Sequence, residues 1–247
     1  MTDHIRPDTD HPTGSTGRRP QQRAIDTRAA ILTAFAAAFD ADGYAAATMS
    51  DVIKANSSTK GAIYFHFPSK EAIAQQLIED WDGAVTQSLS DAEVAGGSIS
   101  EQLRAVFTSL AEHVEDDRNI RAGFKLTLDP SVDGGHDSYR RWIDTISALV
   151  DAGIFSGAIN DTATGHRLAW NLCSGFVGAV HSASILREDL DLSTRTSDML
   201  SSYLSDASAQ SPVDRADEKI EPVVDNVVDI ATGQLDAHRE LPKIGNI

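Results

Sequence analysis

Apolar residues recur at three- and four-residue steps from Arg23 onward: Ile25, Ala29, Leu32, Phe35/Ala36 and Phe39. That spacing predicts an amphipathic helix, and Gly43 supplies its stop. In "TMSD", Thr48 is placed to cap a short helix ending near Ala55, with Asp51 three residues on as in a capping box. A second short helix is expected from Ser58 or Thr59 to just before Pro68. Ser69 then caps a longer one with Ile73, Leu77, Trp81 and Val85 on one face. Past Gly96-Gly97, Leu103, Val106, Phe107, Leu110 and Val114 form one stripe. After breaks at Asp129-Pro130 and Gly134-Gly135, Tyr139, Trp142/Ile143, Ile146 and Leu149/Val150 form another. Residues 165–186 read as a long helix rich in small residues suited to close packing, and Met199, Leu200, Tyr203 and Leu204 mark the last helix. No strand alternation of any length and no internal repeat interrupts this, so the expected fold class is all-α.

The two ends break the pattern. Residues 1–20 are polar and rich in Pro, Gly and Thr, and are expected to be a disordered arm with a basic end. Residues 205–247 carry nine acids against four Lys/Arg and read as an acidic, mostly disordered tail, with "EPVVDNVVDIA" as an alternative short helix.

Charge sharpens the picture. The 247 residues have a formal net charge of −16, which argues against a protein that coats nucleic acid along its whole surface. Yet residues 18–70 hold seven Lys/Arg and four acids, net +3. A positive end on an acidic body is the asymmetry to follow. Cys173 is the only cysteine, so neither an intrachain disulfide nor a cysteine-built zinc site can form. The first 22 residues lack the apolar stretch of a secretory signal. No run approaches the ~20 apolar residues of a membrane span. The expected location is cytoplasmic, with no membrane partner.

The stretch "TKGAIYFHFPSK", residues 59–70, crowds aromatics, a histidine and two lysines between two turns. Two short helices joined at Asn56-Ser57, with long helices before and after, follow the helix-turn-helix plan. In that plan the second short helix enters the major groove. Thr59, Lys60 and Gly61 open that helix toward base edges and phosphates. Tyr64 and His66 each pair a flat body with a polar tip, Lys70 adds a phosphate partner, and Arg28 and Thr48 complete the DNA-facing set. Phe65 and Phe67 are expected to pin the helix to the core of the head. The plainer alternative is a structural helix pair with solvated lysines.

This segment resembles the DNA-binding end of the tetracycline-repressor (TetR) family, from Arg28 to Ile78, with "KGAIYFHFPSKE" as its strongest motif. The resemblance implies a homodimer of all-α subunits, each with a helix-turn-helix head (21–68) and a larger ligand-binding and dimerisation body (69–204). The last two long helices of each body would form a four-helix interface. Asn56-Ser57-Ser58 departs from the family's usual small residue, Gly and apolar residue. Without glycine the turn is expected to be strained or altered, and the head somewhat less stable. "NIRAGFKLTLDPSVDGGHDSYRRWIDTISALVDAG", residues 119–153, is similar to the γ-butyrolactone-receptor branch through Arg121, Ala122, Gly123, Leu126, Thr127, Leu128, Asp129 and Trp142.

The branch implies a repressor released from double-stranded operator DNA by a small hydrophobic signal, a γ-butyrolactone. An antibiotic, butenolide or furan is the alternative ligand. Trp142 would line the signal pocket and stack on a lactone ring, and Ser174 aligns with a ligand-bonding hydroxyl. Phe107, Leu110, Phe124, Leu126 and Phe176 are apolar lining candidates. Each also has a plainer reading: Trp142 and the apolar residues as core, Ser174 as a small residue at a helix contact.

Catalysis and metals find no support in the sequence. Ser57 and Lys60 share the S-x-x-K spacing of penicillin-recognising enzymes, but no K-T-G or S-D-N partner accompanies them. A serine hydrolase would need a base and oxyanion donors that no motif supplies. His113, His166 and His181 lack metal-ligand spacing. The expectation is a regulator that is not an enzyme and uses no cofactor or metal.

Overall fold

The computed structural model describes residues 18–55, 59–185 and 191–207. The expected N-terminal disorder, the Asn56-Ser57-Ser58 turn and most of the acidic tail lie outside these residues. The described residues form ten helices and no strand, the all-α class the periodicity predicts. In order they are α1 (Arg18–Asp42), α2 (Met49–Ala55), α3 (Lys60–His66), α4 (Lys70–Ala95) and α5 (Ile99–Asp116). There follow α6 (Arg118–Thr127), α7 (Gly135–Phe155), α8 (Ala163–His166), α9 (Leu168–Ile185) and α10 (Leu192–Ala207).

Most boundaries have visible causes. Gly43 takes φ +78°, the left-handed conformation that ends α1. Thr59 and Ser69 cap α3 and α4 by accepting from the N–H of Ala62 and Ala72. Ser98 and Glu101 close a full capping box on α5. At α2 the box is altered: Thr48 Oγ1 accepts from Asp51 N at 3.2 Å and donates to Asp51 Oδ2 at 2.6 Å. The start of α1 differs from expectation. Arg18 and Arg19 lie within the helix, and Pro20 is tolerated because first-turn residues need no N–H partner. The acidic run at 115–117 ends α5 and opens the next helix. Asp117 accepts from Asn119 N and Ile120 N, starting the separate helix α6.

Two apolar clusters fill the chain. The head cluster joins Ile31, Phe35, Phe39, Tyr44, Val52, Ile63 and Phe67 to Ile73, Leu77 and Ile78 of α4. It also takes Ala122 and Leu126 from α6 and Val132 from the following loop. The body cluster starts at Trp81 of α4 and runs through α5, Phe124 of α6, α7, α9 and α10. Helices α4 and α6 therefore serve both clusters. The expected division at 68/69 falls at the start of α4, while the apolar packing changes over along that helix, between Ile78 and Trp81.

The α4–α6 crossing is backbone to backbone. A Cβ on Gly123 would lie 2.0 Å from the Leu77 carbonyl oxygen and 3.2 Å from Trp81 Cβ. Glycine is thus required here by proximity, and the same holds at Gly135, where a Cβ would meet Leu126 O at 2.6 Å. Gly123→Ala is expected to force α4 and α6 apart and lower unfolding free energy by about 1–3 kcal/mol, the usual cost of overpacking. A urea titration of the variant against the parent measures it.

Candidate nucleic-acid interface and ligand site

The head places its candidate residues unequally. Thr59, Lys60, Gly61 and Tyr64 are exposed on α3, and His66 is half-buried at its end. Lys60 Nζ sits 5.8 Å from the Tyr64 ring centroid, which holds two of the candidates together. No atom lies within 4 Å of where a Gly61 Cβ would stand, so no internal contact requires glycine there. Thr48, Tyr64 and Lys70 meet along one shallow groove, with Met49, Ser69 and Glu71 between them.

Two candidates are already engaged within the protein. Arg28 Nη2 donates to Gln76 Oε1 at 2.5 Å, and its guanidinium covers the Phe67 ring at 4.7 Å. Gln76 in turn donates to Asp80 Oδ1 at 3.1 Å. Burial raises the Asp80 carboxyl above the usual range, with Asp117 adding to the rise and Gln76 and Arg28 opposing it. Arg28 thus ties α1 to α3 and α4. Lys70 donates to the carbonyls of Tyr44 and Ala47 at 2.9 and 3.3 Å and covers the Tyr44 ring at 4.1 Å. An ammonium has three donors, so one remains for an outside acceptor.

The aromatic anchors divide. Phe67 is 2% exposed and belongs to the head cluster, as expected. Phe65 does not anchor: it is 82% exposed and only edges against His66, at 5.2 Å. One helical step of about 100° separates neighbours, and with Ile63 facing the core Phe65 is carried out to solvent.

In the body, Phe107, Phe124, Trp142 and Phe176 are fully buried in one aromatic cluster, with Leu110 in the same core. Centroid separations run from 5.6 Å (Phe124–Phe176) to 6.0 Å (Phe107–Trp142), mostly edge-on or tilted. Trp81 joins them at 4.8 Å from Phe124 and 5.5 Å from Trp142. Sequence reasoning put Trp81 on the buried face of α4 but missed its membership here; only the α4–α6 crossing shows it. Trp81 Nε1 and Trp142 Nε1 are both buried without a hydrogen-bond partner. Burial pushes the Cys173 thiol up, so it stays protonated, the small hydrophobe its isolation predicts.

Two expected lining residues stand apart. Leu126 belongs to the head cluster, one α6 turn-face away from Phe124. Ser174 is exposed on α9, while its neighbours Cys173 and Phe176 face the core.

Helix α6 also reaches the head through charge. Lys125 Nζ lies 2.5 Å from Asp40 Oδ1, and Arg121 Nε 3.6 Å from Asp40 Oδ2, at the end of α1. Arg121 further donates to the carbonyls of Val114 and Glu115. The R-A-G segment therefore builds a helix crossing: Arg121 binds head and α5, Ala122 fills the head cluster, and Gly123 permits contact with α4.

Residues 31–77 match the family described as bacterial regulatory proteins, tetR family. The chain is 33% identical to the A-factor receptor protein of Streptomyces griseus over 147 residues, 56% of this chain and 48% of that protein. The chain thus spans about half the length of that relative. The full-length TetR regulator TylP from Streptomyces fradiae superposes with a TM-score of 0.57 at 28% identity, over 76% of this chain and 89% of that one. Residues 31–77 thus form a segment of the TetR family. A γ-butyrolactone receptor, an ArpA-like protein, shares the fold at 23% identity and TM-score 0.60, over 75% of this chain and all of that one. At that identity the likeness is one of fold. Among the described residues no helix is long and apolar enough to cross a membrane, and no cluster of His, Cys, Asp and Glu could hold a metal ion.

Two outcomes follow for the head. Phe65→Ala is expected to leave the melting temperature almost unchanged, whereas Phe67→Ala lowers stability by about 3–5 kcal/mol. Thermal melts followed by circular dichroism separate them. Burial would raise the Asp40 carboxyl, but Lys125 and Arg121 together hold it below its ordinary range. Its contribution is therefore complete above the unfolded carboxylate value of about 3.9 and is lost as pH falls through the lower folded value. Stability below about pH 4 is expected to fall less steeply in Asp40→Asn than in the parent, as measured by urea midpoints across pH 2–6.

Proposed function

We propose that this chain is a TetR-family repressor that binds inverted-repeat operator DNA as a homodimer and is released by a γ-butyrolactone-type signal. The observation that carries the DNA reading is Gly61. It stands on the exposed start of α3 between Lys60 and Ala62, where nothing inside the chain demands glycine. A missing side chain there serves an outside surface, and lets the helix approach base edges and phosphates closely. Lys60, Tyr64, Thr48 and the spare donor of Lys70 line the same side and suit phosphate oxygens. Two heads in successive major grooves require half-sites about one helical turn apart, or a multiple of it.

A second copy is supported by α9. Trp170 and Ile185 are 58% and 61% exposed, and Gly178 has nothing within 4 Å of a Cβ position. A large apolar ring and an open glycine on one helix suit a second helix packed against it.

Release follows from α6. A ligand admitted among Phe107, Phe124, Trp142 and Phe176 displaces Phe124. That motion is passed to α4 through the Gly123–Leu77 contact and to α1 through Asp40. The heads then lose the spacing that both grooves require. The ligand must bind the displaced conformer more tightly than the DNA-bound one, since only differential affinity shifts the equilibrium.

Fluorescence anisotropy on DNA from upstream of the gene and its neighbours, with and without a γ-butyrolactone mixture, tests the reading. Tight binding reversed by the lactone is the expected result. Binding indifferent to it removes the lactone and keeps the repressor. Lys60→Ala or Tyr64→Ala is expected to abolish operator binding while sedimentation still reports a dimer. Survival of binding in either variant means α3 is not the reading helix.

A further inference from the structure

Resting on the DNA reading above, we infer that Phe65 and Gly61 form an apolar notch on α3 that takes the 5-methyl group of a thymine, which makes Phe65 a specificity-determining residue. Phe65 is 82% exposed, and its ring stands edge-on to His66 at 5.2 Å between centroids. A single exposed apolar side chain is ordinary on a protein surface. What sets this one apart is its place on the helix. At about 100° per residue, Phe65 and Gly61 both lie within about 20° of the direction opposite buried Ile63. Residues four apart share a face, so these two mark the outermost line of α3. Lys60 and Tyr64 run along one flank of that line, and Ala62 and His66 along the other. No atom lies within 4 Å of a Gly61 Cβ position, so the Phe65 ring does not lie back across the glycine. The outer line is therefore stepped, with bare backbone at Gly61 and an aromatic wall at Phe65.

Charge and chemistry select the occupant of that step. Residues 18–70 carry net +3 and Lys60 flanks the step, so the complementary surface is a polyanionic duplex. In the major groove adenine, guanine and cytosine present hydrogen-bond donors and acceptors, and only thymine adds a methyl group. A phenyl ring can neither donate nor accept a conventional hydrogen bond. Set against a polar base edge, it would strip water without replacing the lost bonds. Against a thymine methyl no bond is lost, and both partners bury apolar surface. The glycine floor lets the base edge come close enough for the ring to lie over the methyl. Lys60 and Tyr64, on the flank, stay available for phosphate oxygens. The flank of α3 thus positions the helix and its outer line reads sequence. Two copies on an inverted repeat would each read one thymine, at positions related by the dyad.

The test uses the full chain and the duplex it selects from a random-sequence pool. Each thymine of a half-site is replaced in turn by deoxyuridine, which lacks only the methyl. At one position the change is expected to weaken binding about fourfold by anisotropy, the weight of one buried methyl group, and in both half-sites together about fifteenfold. Phe65→Ala is expected to bind the thymine and deoxyuridine duplexes equally. With 5-iododeoxyuridine at that position, irradiation of the parent complex is expected to cross-link Phe65, as peptide mass spectrometry reports. A scan in which no deoxyuridine weakens binding, the same methyl preference in Phe65→Ala, or cross-linking to a residue other than Phe65 overturns the inference while leaving operator binding intact. A chain that selects no duplex overturns both. Should Phe65→Ala bind too weakly to titrate, the deoxyuridine scan and the cross-link of the parent chain decide alone.

Discussion

The contact between the α4 and α6 backbones at Gly123 governs how the rest of the molecule works. With a Cβ position only 2.0 Å from the Leu77 carbonyl, no side chain cushions the crossing. Close-packed interiors transmit displacement instead of absorbing it. Helix α6 places Phe124 among the body aromatics and Ala122 and Leu126 in the head cluster. A shift at either end is therefore felt at the other without any long chain of intermediates.

The charge contacts at the same crossing have a different weight. Asp40, Arg121 and Lys125 are each about a third exposed or less, and partly exposed pairs contribute little stability, about 0–1 kcal/mol. Their value is geometric: they fix which residue of α6 faces the end of α1. The head needs that help, since segments of about 50 residues bury too little surface to be robust alone. Its core is completed by α4 and by residues beyond 120, so head stability and body conformation are not separable quantities.

Much of the architecture was legible because helix periodicity is a local signal. The stripes on α4, α5 and α7, the caps at Thr48, Ser69 and Gly43, and the buried Phe67 and Cys173 all follow from neighbours in sequence. What was not legible depends on partners far along the chain. Helix α6 hides in a charged stretch, since Asp117 and Arg121 look solvated until Asp40 and the α5 carbonyls come near. Arg28 and Lys70 read as free cations, yet an amide and two carbonyls from other segments take up their donors. Phe65 reads as core because its neighbours are aromatic, but a one-residue step turns it to solvent. Leu126 and Ser174 fail similarly: each lies on the wrong side of a helix whose rotation only tertiary packing sets. Trp81 joins the aromatic cluster only because Gly123 lets α6 come so close.

The division of charge between head and body has an effect on encounter as well as on binding. Residues 18–70 carry net +3, and residues 71–204, with 21 acids and nine basic residues, carry net −12. Such a molecule is an electric dipole. In the field of a polyanionic duplex it experiences a torque before it experiences contact, turning α3 toward the phosphates and the body away. Approaches that would touch DNA body-first are turned aside at a distance of about one Debye length, roughly 8–10 Å at ordinary ionic strength. Rotational search, which normally slows the docking of specific patches, is thereby shortened.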